Sequence, residues 1–219
     1  MSQPVKRVRP YRSPVRAQQA RSTRMAIIDA AHPMFLADGF AATTIPGVAA
    51  AAGVSVPTVY KVFGNKARLA KAVFDVAIAG DHEPVTVVQR EQLNEVRIEP
   101  DPQRKLSLYG DFLARVSPRH VPVQLVIRDA ATSHADAAAL WRELQSERLA
   151  GMTEFAADLD TSGHLRAGVT RAAARDTLWL YSSPEMFQLL VLERGWSARR
   201  YGRWVATALT AALLPPHAD

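Results

Sequence analysis

A short run of residues in this 219-residue chain combines groups that suit contact with nucleic acid: Pro57, Thr58, Tyr60 and Lys61. A hydroxyl, a phenol and an ammonium group can each donate a hydrogen bond to a phosphate oxygen or to a base edge. Helical spacing places Val59 and Phe63 together on the opposite side, so these apolar side chains would be buried while the first set points outward. The pattern predicts an exposed recognition face on a short helix.

The preceding residues predict the elements that would hold this face in place. Apolar side chains recur at i, i+3, i+4 and i+7, the spacing of one buried helical face, at Ile45, Val48, Ala49 and Ala52. Thr44 can cap the start of this helix, Gly53 permits the sharp turn after it, and Ser55 can cap the next helix. Pro57 lies in the first turn of that next helix, where a missing N–H costs little. A helix, a tight turn and a second helix form the helix-turn-helix arrangement that reads DNA.

The charges are distributed unevenly along the chain, which has a formal net charge of +6. Residues 1–71 contain eleven Lys or Arg against two acids, a balance of +9, whereas the remaining 148 residues contain sixteen against nineteen, a balance of −3. A positive field confined to one domain suits a polyanionic partner. A solvated basic surface without a partner would show the same charges, and the coincidence with the helix-turn-helix pattern favours DNA.

The segment from Ile45 to Leu69 resembles the TetR family of one-component transcriptional regulators. The residues that carry the resemblance are Ile45, Ala49, Ala52, Gly53, Val54, Ser55, Thr58, Val59, Tyr60, Phe63, Lys66 and Leu69, with Ala30, Ala31, Phe35, Gly39 and Phe40 in the preceding helix. The resemblance covers residues 22–76 and implies an all-α homodimer. It implies an N-terminal three-helix helix-turn-helix DNA-binding domain and a larger C-terminal helical domain for ligand binding and dimerisation. The implied function is a sequence-specific repressor that a small-molecule ligand releases from its double-stranded DNA operator.

The resemblance also implies roles for individual residues in DNA binding. Thr44 and Lys66 would hold phosphates, and Tyr60 would touch the backbone or a thymine methyl group. The residues that would face the major groove are Ser55, Pro57, Thr58 and Lys61. Arg21 and Arg24, in the basic N-terminal part of the chain, complete the set assigned to DNA.

Three segments are predicted along the chain. A flexible basic arm spans 1–20, the DNA-binding domain with the start of a fourth helix spans 21–80, and the regulatory and dimerisation domain spans 81–219. The arm is either a solubilising tail or a segment that lies along a DNA groove. The first helix is predicted over residues 22 to 38, with a kink at Pro33 and an end at Gly39.

The rest of the chain has helical periodicity throughout. A short helix is predicted over residues 87 to 96, inside a proline-bounded seam between the domains. The further helices are predicted over 103–117, 121–132, 134–160, 171–181, 184–194 and 198–214, with turn residues such as Ser117 and Pro118 between them.

Two functional surfaces are assigned to the C-terminal domain. A small-molecule pocket mixes apolar walls with an occasional polar group, and its candidate residues are Tyr109, Phe112, Leu125, Arg128, Trp141, Leu144, Met152 and Phe155. Ordinary core packing is the alternative for each of them. The final helices carry enough large apolar side chains for an interface between two copies of the chain, and the candidates are Leu178, Trp179, Leu189, Leu190, Trp204, Val205, Leu209 and Leu213.

The composition excludes several other classes of protein. The chain has no cysteine, so disulfides, thiolate metal sites and cysteine nucleophiles are absent, and a reducing cytoplasm is the expected location. No apolar run is long enough to span a membrane, and no motif of an enzyme, a metal site or a cofactor site is present. The alternatives to a ligand-responsive regulator are an architectural DNA-binding protein without an effector and a helical module that binds another protein.

Overall fold

The computed structural model describes residues 14–80 and 91–216, and every regular element in those two ranges is helical. The first range contains α1 (Pro14–Ala42), α2 (Ile45–Ala51), α3 (Val56–Phe63) and α4 (Lys66–Ala79). The second range contains α5 (Glu91–Ile98), α6 (Pro102–Ala130), α7 (Ala135–Thr161), α8 (Arg171–Tyr181), α9 (Pro184–Phe187), a π-helical turn (Gln188–Glu193) and α10 (Ala198–Leu213). The predicted all-α class is confirmed.

The first helix begins earlier than predicted; it breaks at Gly39, where its end was predicted, but it has no kink at Pro33. It begins at Pro14, so the last part of the predicted flexible arm is helical, and residues 15–22 are all exposed. Its backbone leaves helical geometry at Gly39, where φ is 76° and glycine carries no steric cost. The backbone at Pro33 stays helical, because Pro33 is exposed while Ala31 and Phe35 anchor the other face in the core.

One continuous helix, α6, replaces the two that were predicted on either side of Pro118. Both Pro118 and Pro122 lie inside it. Each proline removes a backbone hydrogen bond at a cost of about 3 kcal/mol in a helix interior. The helix continues because tertiary packing offsets that cost: it contacts α1, α4, α5, α7, α9 and α10, and the neighbouring Val121 and Val123 are buried. The predicted break at this position was therefore wrong.

Two hydrophobic clusters form the interior. The first joins α1 to α4 with the C-terminal end of α6 and the first half of α7, through side chains such as Ile127 and Leu140. The second is built from α5, most of α6, the end of α7 and the elements from α8 to α10. The N-terminal core thus extends past residue 80 of the sequence, and both α6 and α7 contribute side chains to the two clusters.

The most extensive packing between two helices of the C-terminal part is that of α6 against α10. The two helices meet at Gly110 and Gly202, each of which lies against the backbone carbonyl of the other. A Cβ atom on either glycine would overlap that carbonyl, and Ala114 and Ala206 flank the same crossing. Small residues are therefore required here for the helix backbones to approach so closely.

The seam between the domains is described only in part. The helix expected over residues 87 to 96 corresponds to α5, which begins and ends later in the sequence. Residues 81–90, and residues 1–13 of the predicted arm, lie outside the described ranges. Within the described ranges no single helix is both long enough and apolar enough to cross a membrane. Only α2 and α3 taken together meet those criteria, and the chain bends by 107° between them.

Candidate nucleic-acid interface and regulatory interior

The helix-turn-helix is held together by the capping interactions that the sequence predicted. The hydroxyl of Thr44 accepts a hydrogen bond from the amide of Gly47 at 3.1 Å, and the hydroxyl of Ser55 accepts one from the amide of Thr58 at 3.3 Å. Gly53 adopts a φ of 66° in the turn. The resulting 107° angle between α2 and α3 lies in the range of helix-turn-helix motifs.

The exposed face of α3 contains the residues predicted for DNA recognition. Val59 and Phe63 are buried against α2 and its neighbours, as expected. Ser55, Pro57 and Lys61 are exposed, and Tyr60 exposes 49% of its surface. Thr58 is half-buried, and its hydroxyl oxygen lies 2.8 Å from that of Ser55. These two hydroxyls bind each other, so they would act on DNA as a unit.

Side chains beside α3 add positive charge and further hydrogen-bond donors. The guanidinium of Arg24 lies 4.7 Å from the centre of the Phe63 ring, which places this cation next to the recognition helix. Arg21 is exposed and donates a hydrogen bond to the side chain of Gln18 at 3.0 Å. Thr44 is also exposed, and because its oxygen is the acceptor of the cap, its O–H remains available as a donor.

Two exposed cations of the N-terminal domain were not assigned from the sequence. Arg16 lies on the helical extension of α1, which was predicted as flexible chain. Arg68 lies in the first turn of α4, where its amide donates to the capping side chain of Asn65 at 2.8 Å. Asparagine is a favoured helix cap, so Asn65 and the position that it gives to Arg68 in the first turn are the signal that could have identified this residue.

Backbone carbonyls occupy the ammonium group of Lys66, so the assignment of a phosphate contact to it is corrected. Its ammonium group donates to the backbone carbonyls of Phe40, Ala41 and Thr43 at 2.6, 3.2 and 3.1 Å. It also lies 4.6 Å from the centre of the Phe40 ring. The ammonium group has no further N–H donor to offer. Burial lowers its pKa, and its role is to bind the carbonyl groups that the end of α1 leaves without partners.

Five of the predicted pocket residues lie together in the second hydrophobic cluster: Tyr109, Phe112, Leu125, Met152 and Phe155. The ring of Tyr109 stacks on Phe112 with 6.3 Å between centroids and meets Phe155 edge-on at 5.2 Å. Its hydroxyl lies 3.5 Å from the sulfur of Met152. In this conformation the side chains fill the space between the helices by contacting one another.

The other three predicted pocket residues lie elsewhere. Leu144 is buried in the first hydrophobic cluster and Trp141 packs against it, because this half of α7 faces the DNA-binding domain. Arg128 forms ion pairs with Asp129 at 2.9 Å and with Glu185 at 3.4 Å. Helical periodicity identifies the apolar face of α7 but cannot tell which of two cores each part of that face will meet.

Half of the residues predicted for a dimer interface are inside the subunit. Leu178, Val205, Leu209 and Leu213 are at most 1% exposed and form the second cluster, so they have no surface to offer a second chain. Trp179, Leu190 and Trp204 are half-buried, and Leu189 is 51% exposed. Leu180 and Leu192, which were not predicted, are 54% and 51% exposed on the same part of the chain.

His120 connects the two parts of the molecule. Its ring meets Phe74 of α4 edge-on at 5.6 Å, and its Nδ1 atom lies 2.9 Å from the carbonyl oxygen of Val116. Desolvation lowers the pKa of His120 from 6.5 to about 4, and the nearby guanidinium groups of Arg119 and Arg148 act in the same direction. The imidazole is therefore neutral in the folded protein at neutral pH.

This pKa shift predicts a loss of stability in weak acid. The unfolded chain takes up a proton near the ordinary pKa of 6.5, whereas the folded protein resists protonation down to about 4. The contribution of His120 to stability is thus complete above pH 6.5 and is lost as the pH falls toward 4, by up to about 3 kcal/mol. Urea unfolding of the wild type and of His120→Leu at neutral and at mildly acidic pH measures this effect. Equal pH dependence of the two proteins would contradict it.

Comparisons with known proteins agree with this geometry. Residues 27–73 match the family described as "Bacterial regulatory proteins, tetR family". The chain is 35% identical over 83 residues to "HTH-type transcriptional regulator TtgR" of Pseudomonas putida, a match that covers 38% of each protein. The chain thus spans less than two fifths of the length of this relative.

Solved structures share the fold over most of the chain. The SmeT–triclosan complex is similar with a TM-score of 0.68 at 20% identity, over 89% of this chain and 92% of that one. The regulator FadR from Bacillus subtilis in complex with stearoyl-CoA has a TM-score of 0.67 at 19% identity, over 84% and 96%. The family match over residues 27–73 and the helix-turn-helix of α2 and α3 place the N-terminal domain in the TetR family of bacterial regulatory proteins, and the solved structures show that the rest of the chain shares the fold.

Proposed function

We propose that this protein is a homodimeric transcriptional repressor that reads an operator through α3 and is released from it by a small-molecule ligand. The observation that carries the proposal is the exposed face of α3, which is polar, aromatic and cationic and is held at 107° to α2. A recognition helix presented in this way enters the major groove of B-DNA. Such a protein acts where the chromosome lies, which places it in the cytoplasm of a bacterium.

Each exposed group on this face has a chemical role in the proposed complex. Lys61 can donate to the O6 and N7 atoms of guanine, and the aromatic ring of Tyr60 can contact a thymine methyl group. The linked hydroxyls of Ser55 and Thr58 can donate to a base edge or a phosphate. Thr44, Arg21 and Arg24 would bind phosphates on either side, which adds affinity without sequence preference.

The exposed apolar residues of the C-terminal domain support a homodimer. Leu180, Leu189 and Leu192 lie near the junction of α8, α9 and the π-helical turn, and each exposes about half of its surface. Two copies of the chain related by a two-fold axis would cover these residues and would present two α3 helices to half-sites roughly 34 Å apart.

The helix α6 offers a route from a ligand site to the DNA-binding domain. One end lies among the second-cluster residues around Tyr109, and the other end packs on α1 and α4. The contact with α4 includes a 3.0 Å hydrogen bond from Arg119 to the carbonyl of Ala77 and the ring contact of His120 with Phe74. A ligand that binds better to a conformation with the wrong α3 spacing would release DNA.

Gel-shift titration tests the DNA-binding part of this proposal. With DNA from the region around its own gene, we expect a specific complex, and we expect Tyr60→Ala with Lys61→Ala to weaken it by about 100-fold. Arg203→Ala, an exposed cation on α10, is the matched control and should leave the affinity unchanged. Absence of a specific complex at moderate salt would refute the proposal.

The salt dependence of binding separates the repressor from the second candidate, an architectural DNA-binding protein. The formal charge balance of +9 in residues 1–71 favours this candidate as well. Architectural binding would be indifferent to sequence and would fall steeply with salt. The repressor should prefer its operator over random DNA at every salt concentration. Deletion of residues 1–20 should weaken binding to all sequences and flatten the salt slope if the predicted arm contacts DNA.

A further inference from the structure

The guanidinium group of Arg148 on α7 is partly buried in the C-terminal domain and forms no ion pair with a carboxylate of the described residues. Its acceptors are all neutral: the side chain of Gln145 at 2.9 Å, the hydroxyl of Ser182 at 3.3 Å and the backbone carbonyl of Trp179. One face of the guanidinium covers the indole ring of Trp179, 4.4 Å from its centroid. Among the residues that the structure describes, no carboxylate oxygen lies within the 4.0 Å of an ion pair with Arg148.

Such an arrangement is costly for a charged group. Taking a cation out of water costs several kcal/mol unless an anion or a full set of strong acceptors replaces the water. Other cations of the same domain do have carboxylate partners: Lys105 pairs with Asp158, and Arg128 pairs with Glu185. Glu185, which pairs with Arg128, also attracts the charge of Arg148 but from beyond ion-pair distance. Arg148 is therefore a half-buried cation without a carboxylate in direct contact among the described residues.

Two further hydrogen-bond donors close to Arg148 lack a charged acceptor, and one of them has no acceptor among the described residues. The indole N–H of Trp179 is buried and has no hydrogen-bond partner within the described residues. The hydroxyl of Tyr109, a residue only 3% exposed, lies 3.5 Å from the thioether of Met152, a weak acceptor, and also interacts with the side chain of Ser182. Buried donors in native proteins almost always have an oxygen or nitrogen acceptor, so each of these needs an explanation.

The three donors are joined through the residues between them. The hydroxyl of Ser182 lies 3.3 Å from the guanidinium of Arg148 and 3.7 Å from the sulfur of Met152, which in turn contacts the hydroxyl of Tyr109. Apolar side chains of the second cluster, such as Phe112 and Phe155, flank Tyr109 on its other sides. The cluster thus combines a cation and neutral donors with an apolar wall. The flexible side chain of Met152 lies between the hydroxyl groups of Tyr109 and Ser182.

We propose that this cluster binds the carboxylate group of an apolar small molecule, with the guanidinium of Arg148 and the hydroxyl of Tyr109 as donors to its oxygens. The thioether of Met152 moves aside when the ligand enters, and the hydrocarbon part of the ligand packs against the aromatic rings. A carboxylate fits because a guanidinium fork binds its two oxygens together. The inference rests on the effector site of the proposed function and names the class of its ligand.

Isothermal titration calorimetry with four probes tests the inference without DNA. Octanoate and benzoate carry the carboxylate, and octanamide and benzamide have the same shape without the charge. We expect the purified full-length protein to bind at least one carboxylate and to bind its amide at least about 10-fold more weakly, as expected when a charged hydrogen bond is lost. Equal affinity for acid and amide, or no saturable heat with any probe, would overturn the inference.

Three variants locate the site. Tyr109→Phe keeps the ring contacts and removes only the hydroxyl, and it should weaken carboxylate binding several-fold without changing the thermal midpoint by much. Arg148→Gln should weaken it by about 10- to 100-fold and should remove the preference over the amide. Arg142→Gln is the matched control, an exposed arginine on the same helix, and should bind as the wild type does. Unchanged carboxylate affinity in both Tyr109→Phe and Arg148→Gln would overturn the inference.

The outcome is independent of DNA binding. A specific DNA complex together with no carboxylate binding would refute this inference and leave the proposed repressor standing. Carboxylate binding that depends on Arg148 together with no specific DNA complex would support the site and refute the repressor.

Discussion

Alanine in place of Gly110 is expected to lower the free energy of unfolding by about 3 kcal/mol or more, because the added methyl group has no space. A Cβ at this position would overlap the backbone carbonyl of Gly202 and would lie 3.0 Å from the Cβ of Ala206. A carbonyl group within a helix cannot rotate away as the end of a long side chain can. The helices α6 and α10 would have to separate, which would open the second hydrophobic cluster along their contact.

The same substitution elsewhere provides the control. Gly151 lies inside α7, and a Cβ at that position meets nothing within 4 Å. Gly151→Ala should raise the free energy of unfolding by about 1 kcal/mol, because alanine loses less backbone entropy in a helix than glycine does. Urea unfolding followed by circular dichroism measures both variants. If Gly110→Ala is as stable as the wild type, the close crossing of α6 and α10 does not exist in solution.

Lys66→Met is expected to destabilise the protein by about 3 kcal/mol, because it removes the donors that the carbonyls of Phe40, Ala41 and Thr43 use. Methionine has a similar length and can keep the apolar contact with the Phe40 ring. The loss of stability would therefore measure the contribution of the hydrogen bonds and of the charge. The main effect should appear as a lower midpoint of thermal or urea unfolding in the absence of DNA.

Lys61→Met is the matched control, since it replaces an exposed lysine on α3 by the same residue. It should leave the unfolding midpoint unchanged and weaken operator binding by about 10-fold. If Lys66→Met instead unfolds as the wild type does and loses only DNA affinity, the ammonium group binds phosphate and the structural role assigned to it is wrong.

The local structure of the DNA-binding domain was predictable because its signals are local. Thr44, Ser55 and Asn65 each cap a helix with a side chain that accepts the amide three residues later, and this needs only a few neighbouring residues. Gly53 sits where the backbone needs a positive φ. The apolar spacing of Val59 and Phe63 set the buried face of α3 and, with it, the exposed face.

The assignments that failed depended on contacts between distant parts of the chain. Pro118 is a helix breaker by local criteria, yet the packing of α6 against six other elements keeps the helix continuous. Leu209 and Leu213 are large and apolar, but nothing in the sequence says whether α10 buries them within its own subunit or against another. Lys66 is a lysine at the start of a helix, and only the arrival of the end of α1 beside it changes its role.

By itself, the sequence determined the helical class, the helix-turn-helix and the concentration of positive charge in the first third of the chain, because these follow from capping, periodicity and composition. Only the tertiary structure decided which core each apolar face of α6 and α7 joins, and which polar groups are enclosed with them. Arg148 illustrates this difference. In the sequence nothing distinguishes it from the other charged residues of α7, and its environment is created by the end of α8, which packs across it. Burial depends on what the rest of the chain brings to a residue, and burial is what turns an ordinary arginine into a candidate ligand site.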